Sequence, residues 1–176
     1  MHFKKTNYKP PEVQESWTSG PSILTTFFIE NHIITRITLA EAKGFSCRII
    51  GINLENEILE WMERYAKGEK GRELPLDFTK LSLFTKKGLL AIKKIPFGGK
   101  ASYGEIASLV GQEKGARAIG NVCNKNPYPL VIPCHRVTHK SGKLGGFAYP
   151  LEMKQLLLDF ESYTLYGSVE NCNLPT

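Results

Sequence analysis

The stretch SYGEIASLVGQEKGARAIGNVCNKNPYPLVIPCHRV, residues 102–137, contains the strongest local signals in the chain. Ser102 is well placed to cap a short helix from Tyr103 to Val110, with Glu105 in its first turn. A four-residue turn then leads to a second helix, predicted for Gly115 to Asn124. Two short helices joined by such a turn resemble a helix-turn-helix, a motif that many DNA-binding proteins use.

The second of these helices is unusual for one that reads a base sequence. Recognition helices in the major groove present long polar side chains to the base edges. Here the stretch GARAIG, residues 115–120, is small apart from Arg117 and Ile119. Small residues allow a close backbone approach, which suits the narrow minor groove, where sequence is poorly read. The alternative is that these small residues pack against another helix of the protein.

A cysteine, a histidine and an arginine, Cys134 to Arg136, follow a predicted buried strand at Leu130 to Ile132. Cysteine reacts as its thiolate and therefore needs a base or a positive charge nearby. His135 is the candidate base, and Glu161 is a candidate to orient it. Because neighbouring residues on a strand point to opposite faces, we expect a bridging water or a turn between the thiol and the imidazole. Taken alone, such a pair is more often structural than catalytic.

The first half of the chain has the pattern of a small sheet with one helix. Two β-branched and aromatic runs, Ile23 to Ile29 and Ile33 to Leu39, predict a β-hairpin, and Phe45 to Ile52 is a candidate third strand. Apolar residues at helical spacing predict a helix from Leu54 to Ala66. Residues 1–21, rich in Pro, Ser, Thr and Lys, are predicted to be irregular.

The composition changes near Leu81, which predicts two domains. Residues 1–80 would form a supporting β-sheet and helix domain, and residues 81–176 a winged-helix-like domain with the helix-turn-helix and the cysteine. The expected fold class is therefore α+β. The other elements predicted for the second half are a helix at Thr85 to Ile95, a glycine-rich loop at Gly142 to Gly146 and a helix at Leu151 to Glu161.

Charge is distributed unevenly along the chain. Residues 1–83 contain 11 Lys or Arg and 11 Asp or Glu, whereas residues 84–161 contain 12 and five. A basic half beside a neutral half indicates that one domain meets a polyanion, although a merely solvated basic surface is the alternative. No apolar run approaches the ~20 residues of a membrane span, and the N-terminus lacks the pattern of a secretory signal. We expect a protein of the cytoplasm, associated with the nucleoid in a prokaryote, or of the nucleus in a eukaryote.

The four cysteines, at positions 47, 123, 134 and 172, are widely separated, and no two form a Cys-x-x-Cys pair. This spacing argues against a thiol-ligated zinc site and against a disulfide framework. In the first half only His2, His32 and Cys47 are candidate ligands, without metal-binding spacing, so we predict no structural metal.

The string NPYPLVIPCHRV, residues 126–137, closely resembles the active-site signature of the O6-alkylguanine-DNA alkyltransferases. Residues 102–107 and 116–120 resemble the helix-turn-helix of that family, and residues 145–149 and 154–161 resemble its substrate loop and closing helix. The resemblance covers roughly residues 81–161. It implies irreversible transfer of an alkyl group from O6-alkylguanine, and from O4-alkylthymine, in double-stranded DNA to the protein's own cysteine. It also implies a monomer that needs no cofactor.

The resemblance implies a role for each matching residue. Cys134 would accept the alkyl group, His135 would activate it through water, Glu161 would orient the histidine, and Tyr103 would help rotate the nucleotide out and donate a proton to the departing guanine. Phe147 stands where many members have a tyrosine, so the pocket keeps an apolar wall but loses a hydroxyl. The resemblance also assigns residues to DNA binding, namely Arg117, Ala118, Gly120, Asn121 and Lys125. Arg117 would fill the space that the rotated base leaves in the base stack. The residues implied for the substrate pocket are Asn126, Pro129, Val137, Phe147 and Ala148.

Three other functions compete with this interpretation. A non-enzymatic damage sensor of the same family would replace the acceptor cysteine, commonly with tryptophan, but Cys134 is present. A transcription factor would need base-reading side chains on its recognition helix. A Cys-His hydrolase would need an oxyanion hole and a base in direct contact with the thiol, and the sequence indicates neither.

Overall fold

The structure is a computed structural model, and it describes residues 12–166. In this part of the chain, a four-stranded sheet and its helix precede a mainly helical half. The strands are β1 (Glu12–Trp17), β2 (Ile23–Glu30), β3 (Ile33–Glu41), β4 (Phe45–Ile50), β5 (Ala101–Ser102) and β6 (Val137–Thr138), and the helices are α1 (Glu55–Ala66), α2 (Leu83–Lys93), α3 (Tyr103–Leu109), α4 (Ala116–Asn124) and α5 (Leu151–Tyr166).

The large sheet has the strand order β1-β4-β2-β3. The predicted hairpin is confirmed: β2 and β3 pair antiparallel, and their connection passes through Asn31 and His32, both in the left-handed region at φ 51° and 62°. Two such residues favour a tight turn that matches the twist of the strands. The predicted third strand is β4, which pairs parallel to β2.

The prediction of an irregular leader is wrong for Glu12–Trp17, which forms β1 and pairs antiparallel with β4. Its sequence, EVQESW, has only two apolar residues, Val13 and Trp17, and both are only half-buried. An edge strand of this kind has little apolar patterning of its own. The hydrogen bonds that hold β1 come from the free edge of β4. Because β4 lies almost 30 residues later in the chain, the local sequence of β1 does not reveal them.

The helix-turn-helix consists of α3 and α4. Ser102 caps α3 as predicted: its Oγ accepts from the amide of Glu105 at 3.2 Å, while the Glu105 carboxylate accepts from the Ser102 amide at 2.6 Å. Such a reciprocal pair satisfies two amide donors at the helix start. The α2 helix packs closely on α4, where a Cβ added to Gly88 would lie 3.0 Å from Val122.

The prediction of a buried strand at Leu130 to Ile132 is wrong. The segment is buried but forms turns, with Leu130 at φ 72° and the Ile132 amide donating to the carbonyl of Tyr128 at 2.8 Å. Prolines at 127, 129 and 133 remove the amide donors that a ladder would need. The α5 helix also extends five residues beyond the predicted end at Glu161, to Tyr166.

The edge of the sheet is covered by segments from later in the chain. Amides of β3 donate to the carbonyl of Pro75 at 2.9 Å, to the carbonyl of Pro127 at 2.8 Å and to the hydroxyl of Tyr149 at 3.3 Å. Covering an edge in this way blocks pairing with another chain. The sheet is thereby fastened to the segments on both sides of the candidate active site.

No helix within residues 12–166 is both long enough and apolar enough to cross a membrane. The same residues contain no cluster of three or more metal-ligating side chains. Cys47, Cys123 and Cys134 are buried free thiols, whereas His2 and Cys172 lie outside the described residues.

Candidate active site and DNA-binding face

The candidate nucleophile begins a single 3-10 turn, Cys134–Arg136, directly after Pro133. Its thiol is only 1% exposed. The Asn126 side chain donates from Nδ2 both to Sγ, at 3.2 Å, and to the carbonyl of Ile132, at 2.8 Å, while its Oδ1 accepts a backbone amide at 2.9 Å. Asn126 therefore fastens the segment after the helix-turn-helix to the sulfur.

Burial raises the pKa of the Cys134 thiol above its usual value, and the Asn126 hydrogen bond and the Lys154 charge act against that rise. The buried sulfur is therefore predominantly protonated near neutral pH, and it needs a base before it can react as a thiolate.

His135 is completely buried, and its Nε2 lies 2.7 Å from Oε1 of Glu161. Burial lowers the pKa of His135, although Glu161 opposes this, so the ring is neutral near pH 7. The hydrogen-bond network assigns the ring proton to Nε2, since a carboxylate can only accept. The buried Nδ1 makes no hydrogen bond within residues 12–166, so its lone pair is available to act as a base.

A turn, and not a strand, joins the thiol to the imidazole. Both residues lie in the same 3-10 turn, and among the described residues the side chain that hydrogen-bonds the sulfur is that of Asn126 and not the imidazole of His135. Transfer of a proton from Cys134 to Nδ1 would therefore need a bridging water.

Glu161 accepts hydrogen bonds from three segments of the chain. Arg136 donates from Nε at 2.9 Å and from Nη2 at 2.9 Å, the amide of Gly98 donates at 3.0 Å, and the hydroxyl of Tyr65 donates at 2.9 Å. Burial alone would raise the pKa of Glu161, but the hydrogen bonds and charges of His135 and Arg136 bring it down to about 2. The carboxylate is thus charged, paired and fixed beside the imidazole.

Tyr103 and Lys154 meet below the loop that precedes α5. The Tyr103 hydroxyl donates to the carbonyl of Gly146 at 2.9 Å, and burial raises its pKa to about 12. The fully buried Lys154 ammonium donates to the carbonyls of Val137, at 2.7 Å, and Leu144, at 2.5 Å. It also lies 5.8 Å from the centres of the Tyr103 and Phe147 rings. One buried cation therefore ties the pocket loop to the segment that follows the cysteine.

The other predicted pocket residues are not equally enclosed. Pro129 and Val137 are buried, Phe147 is half-buried beside Tyr149 with ring centres 5.6 Å apart, and Ala148 is exposed. Asn126 contacts the sulfur, whereas Val137 and Phe147 contact Lys154. Pro129 lies in the turn that leads to the cysteine.

The predicted DNA-binding residues lie along the outer face of α4 and just beyond its end. Arg117, Asn121 and Lys125 are exposed, while Ala118 and Gly120 are half-buried. A Cβ added to Gly120 would meet no atom within 4 Å. Packing against another helix therefore does not explain this glycine, and the face is open to a close partner. The residues that α4 buries are Ile119, Val122 and Cys123.

A cavity of about 900 Å³ lies beside Arg136. Its wall includes Tyr65, Pro133 and Arg136, but Cys134 and His135 do not contribute to it. The cavity is therefore next to the pair of Arg136 and Glu161 and not at the sulfur.

Three participants in the site were not predicted from the sequence: Tyr65, Gly98 and Lys154. A signal for Lys154 does exist, because it lies seven residues before Glu161 on the same apolar stripe of α5, with Leu157 and Leu158 between them. Charged residues on a buried stripe require partners. For Tyr65 and Gly98 the contacts with Glu161 join distant segments, and the local sequence has no such signal.

Comparison with known proteins identifies the family of the chain. Residues 83–163 match the family model described as 6-O-methylguanine DNA methyltransferase, DNA binding domain. A probable methylated-DNA–protein-cysteine methyltransferase of Acanthamoeba polyphaga mimivirus is 40% identical over 104 residues, covering 58% of this chain and 69% of the relative. The constitutive methylated-DNA–protein-cysteine methyltransferase of Bacillus subtilis is 38% identical over 141 residues, covering 75% and 85%.

Matches to two archaeal methylated-DNA–protein-cysteine methyltransferases span only about half of those relatives. Among solved structures, Mycobacterium tuberculosis OGT in complex with DNA has a TM-score of 0.65 at 25% identity, covering 80% of this chain and 94% of that one. The mixed α+β architecture, with a small sheet and a helical half, is therefore shared with that protein.

Proposed function

Since the chain belongs to the family of methylated-DNA–protein-cysteine methyltransferases, which repair DNA by transferring an alkyl group to a cysteine, we propose that Cys134 is the acceptor. We further propose that the donor is O6-alkylguanine, or O4-alkylthymine, in double-stranded DNA. The observation that carries this assignment is the buried thiol held by Asn126 in the same turn as a neutral His135 bound to Glu161. Cys47 lies in the sheet and Cys123 in α4, and neither stands in a turn beside a histidine bound to a carboxylate.

The transfer requires that one bond forms at the alkyl carbon as another breaks. Nδ1 of His135 takes the thiol proton through a bridging water, and Sγ of Cys134 then attacks the alkyl carbon. The bond between that carbon and O6 breaks as the bond to sulfur forms. The departing guanine receives a proton from the hydroxyl of Tyr103, which avoids a poorly stabilised anion. Lys154 lies beside the tyrosinate that remains and stabilises its charge.

The product is a thioether, and no step restores the thiol, so each molecule reacts once. The Tyr103 hydroxyl donates to the Gly146 carbonyl in this structure, and it would change partner when the base enters. The chemistry needs no cofactor, because the alkyl group itself is the electrophile.

We propose that α4 binds the minor groove and that the damaged nucleotide rotates out of the duplex into the pocket. The open surface at Gly120 and the half-buried Ala118 support a close backbone approach. Arg117 would fill the vacated stack, and Asn121 and Lys125 would contact the DNA backbone. The same proposal includes a domain boundary after residue 80 and a winged-helix-like domain at residues 81–176. It also includes action as a monomer and a cytoplasmic or nuclear location.

The decisive experiment is the intact mass of the protein after incubation with a duplex containing O6-methylguanine. We expect the gain of one methyl group, located by peptide mapping at Cys134. Cys134→Ser should gain none but should still bind the duplex, because binding rests on the basic face of α4. Cys47→Ala, which removes a buried thiol in the sheet, is the matched control and should react like the wild type. Methylation of the Cys134→Ser protein would refute the assignment.

A further inference from the structure

We propose that Tyr65, on α1 of the N-terminal half, is a positioning residue for alkyl transfer. Its hydroxyl donates to Glu161 and weakens the hydrogen bond of that carboxylate to Nε2–H, so that His135 stays neutral and leaves Nδ1 free to take the thiol proton. This inference rests on the proposed function and extends it, since it gives the supporting half of the protein a part in the chemistry.

The geometry of the two carboxylate oxygens carries the argument. Oε1 of Glu161 accepts from the Tyr65 hydroxyl at 2.9 Å, from Nη2 of Arg136 at 2.9 Å and from Nε2 of His135 at 2.7 Å. Oε2 accepts from Nε of Arg136 and from the amide of Gly98. Tyr65 thus donates to the same oxygen that orients the imidazole. Its hydroxyl and Nε2–H therefore compete for one acceptor.

Tyr65 is itself held firmly, by its ring and not by its hydroxyl. It is 3% exposed, stacks on Trp61 with ring centres 5.5 Å apart, and meets Phe97 edge-on at 5.4 Å and Phe160 at 5.8 Å. A phenylalanine at position 65 would keep these aromatic contacts. Tyr65→Phe therefore removes the donor to Glu161 with little change in packing.

The donor is present throughout the working pH range. Burial, and then the nearby Glu161 carboxylate, raise the pKa of Tyr65 well above its usual value, so the hydroxyl stays protonated. The other charged groups that act on His135 are Glu161 and Lys154 from α5 and Arg136 from its own turn. Removal of the Tyr65 hydroxyl leaves the charges of Arg136 and Lys154 in place and changes only the number of donors to Glu161.

Loss of the hydroxyl has a predictable direction. With one donor fewer, Oε1 interacts more strongly with Nε2–H, which stabilises the imidazolium form of His135. The imidazole then becomes protonated at a higher pH, and Nδ1 ceases to be a base there. A purely structural role for Tyr65 would lower the rate at every pH and leave the midpoint of its acid limb unchanged.

The test compares wild type, Tyr65→Phe and Tyr128→Phe. The Tyr128 hydroxyl is a matched control, because it also joins the two halves, donating to the Asp77 carbonyl, without contacting Glu161. Transfer from an O6-methylguanine duplex is timed between pH 5 and pH 9, and the His135 imidazole is titrated by NMR. For Tyr65→Phe we expect both midpoints to rise by about 0.5 to 1 pH unit, with rates close to wild type above pH 8. For Tyr128→Phe we expect no shift.

A second variant guards against loss of folding in Tyr65→Phe. Difluorotyrosine at position 65 keeps the shape of the side chain but makes a stronger donor, so both midpoints should fall. Unchanged midpoints in either folded variant would overturn the inference. A wild-type protein that gains no methyl group at Cys134 would instead refute the proposed function, and the NMR titration of His135 would still test the role of Tyr65.

Discussion

Lys154 and Glu161 lie seven residues apart on α5, two turns along one face, and both side chains are completely buried. The cation binds the pocket loop at the Leu144 carbonyl and the segment after the cysteine at the Val137 carbonyl, and the anion holds His135 and Arg136. A single helix therefore sets the distance between the substrate pocket and the proton relay.

Replacement of Lys154 by methionine should disrupt the hydrogen bonds that hold the pocket loop. Two buried carbonyls would lose their donor, so we expect the free energy of unfolding to fall by about 2–4 kcal/mol. The thiol pKa should rise, because the Lys154 charge now opposes the effect of burial. Urea denaturation and the pH dependence of thiol alkylation measure these effects. The exposed Lys87→Met serves as the control, and a Lys154→Met protein as stable as wild type would contradict the role given to the ammonium.

Replacement of Asn126 by alanine should slow transfer and loosen the turn before the cysteine. The sulfur would lose its hydrogen bond, so its pKa should rise further and the rate at neutral pH should fall. The Ile132 carbonyl would lose its donor as well, at a cost of about 1–3 kcal/mol in stability. Single-turnover kinetics and thermal unfolding give the two effects. Asn56→Ala, on the exposed side of α1, should change neither.

Arg117→Ala should impair repair of a duplex far more than reaction with free O6-benzylguanine. The side chain is exposed on α4, away from the sulfur, and base rotation is needed only for duplex DNA. Rates on the two substrates are compared with those of Lys43→Ala, an exposed cation on the sheet side of the protein. Equal losses on both substrates would show that Arg117 acts within the pocket.

Binding to undamaged duplexes should weaken steeply with salt and vary little with sequence. The exposed cations Lys100, Lys114, Arg117 and Lys125 are available to phosphates, whereas Lys93 is paired with Glu73 and lines the cavity behind the site. Each phosphate contact contributes to the salt slope, while a minor groove offers few base edges to read. Fluorescence titrations of two unrelated duplexes at several salt concentrations give the slope. A strong preference for one sequence that is insensitive to salt would favour a transcription factor.

Stability should decline as the pH falls from about 7 towards 3. Folded His135 has a pKa below its ordinary 6.5, so the unfolded chain binds the proton more readily and folding loses free energy below pH 6.5. Glu161 adds a second loss, which starts near its ordinary pKa of 4.5 and is complete only below its folded value of about 2. Urea denaturation at a series of pH values would reveal both. A free energy of unfolding that is constant between pH 7 and pH 5 would contradict the buried neutral histidine.

The helix-turn-helix and the hairpin were predictable because their signals are local. Ser102 and Glu105, for example, form the capping box only three residues apart. The strand predicted at Leu130 to Ile132 was wrong because three apolar residues among prolines bury themselves equally well in turns. Tyr65 was missed because its partner, Glu161, lies 96 residues away, and only the packed fold brings the two together.

The covered edge of β3 also bears on how such a protein diverges over time. Two of the three groups that receive its amides are backbone carbonyls, those of Pro75 and Pro127, and a carbonyl is offered by every amino acid. Substitutions can therefore accumulate on both sides of this seam without loosening it. These contacts tolerate a change of side chain but not a change of spacing. One inserted residue in β3 would move its amide donors out of register with the carbonyls that accept them.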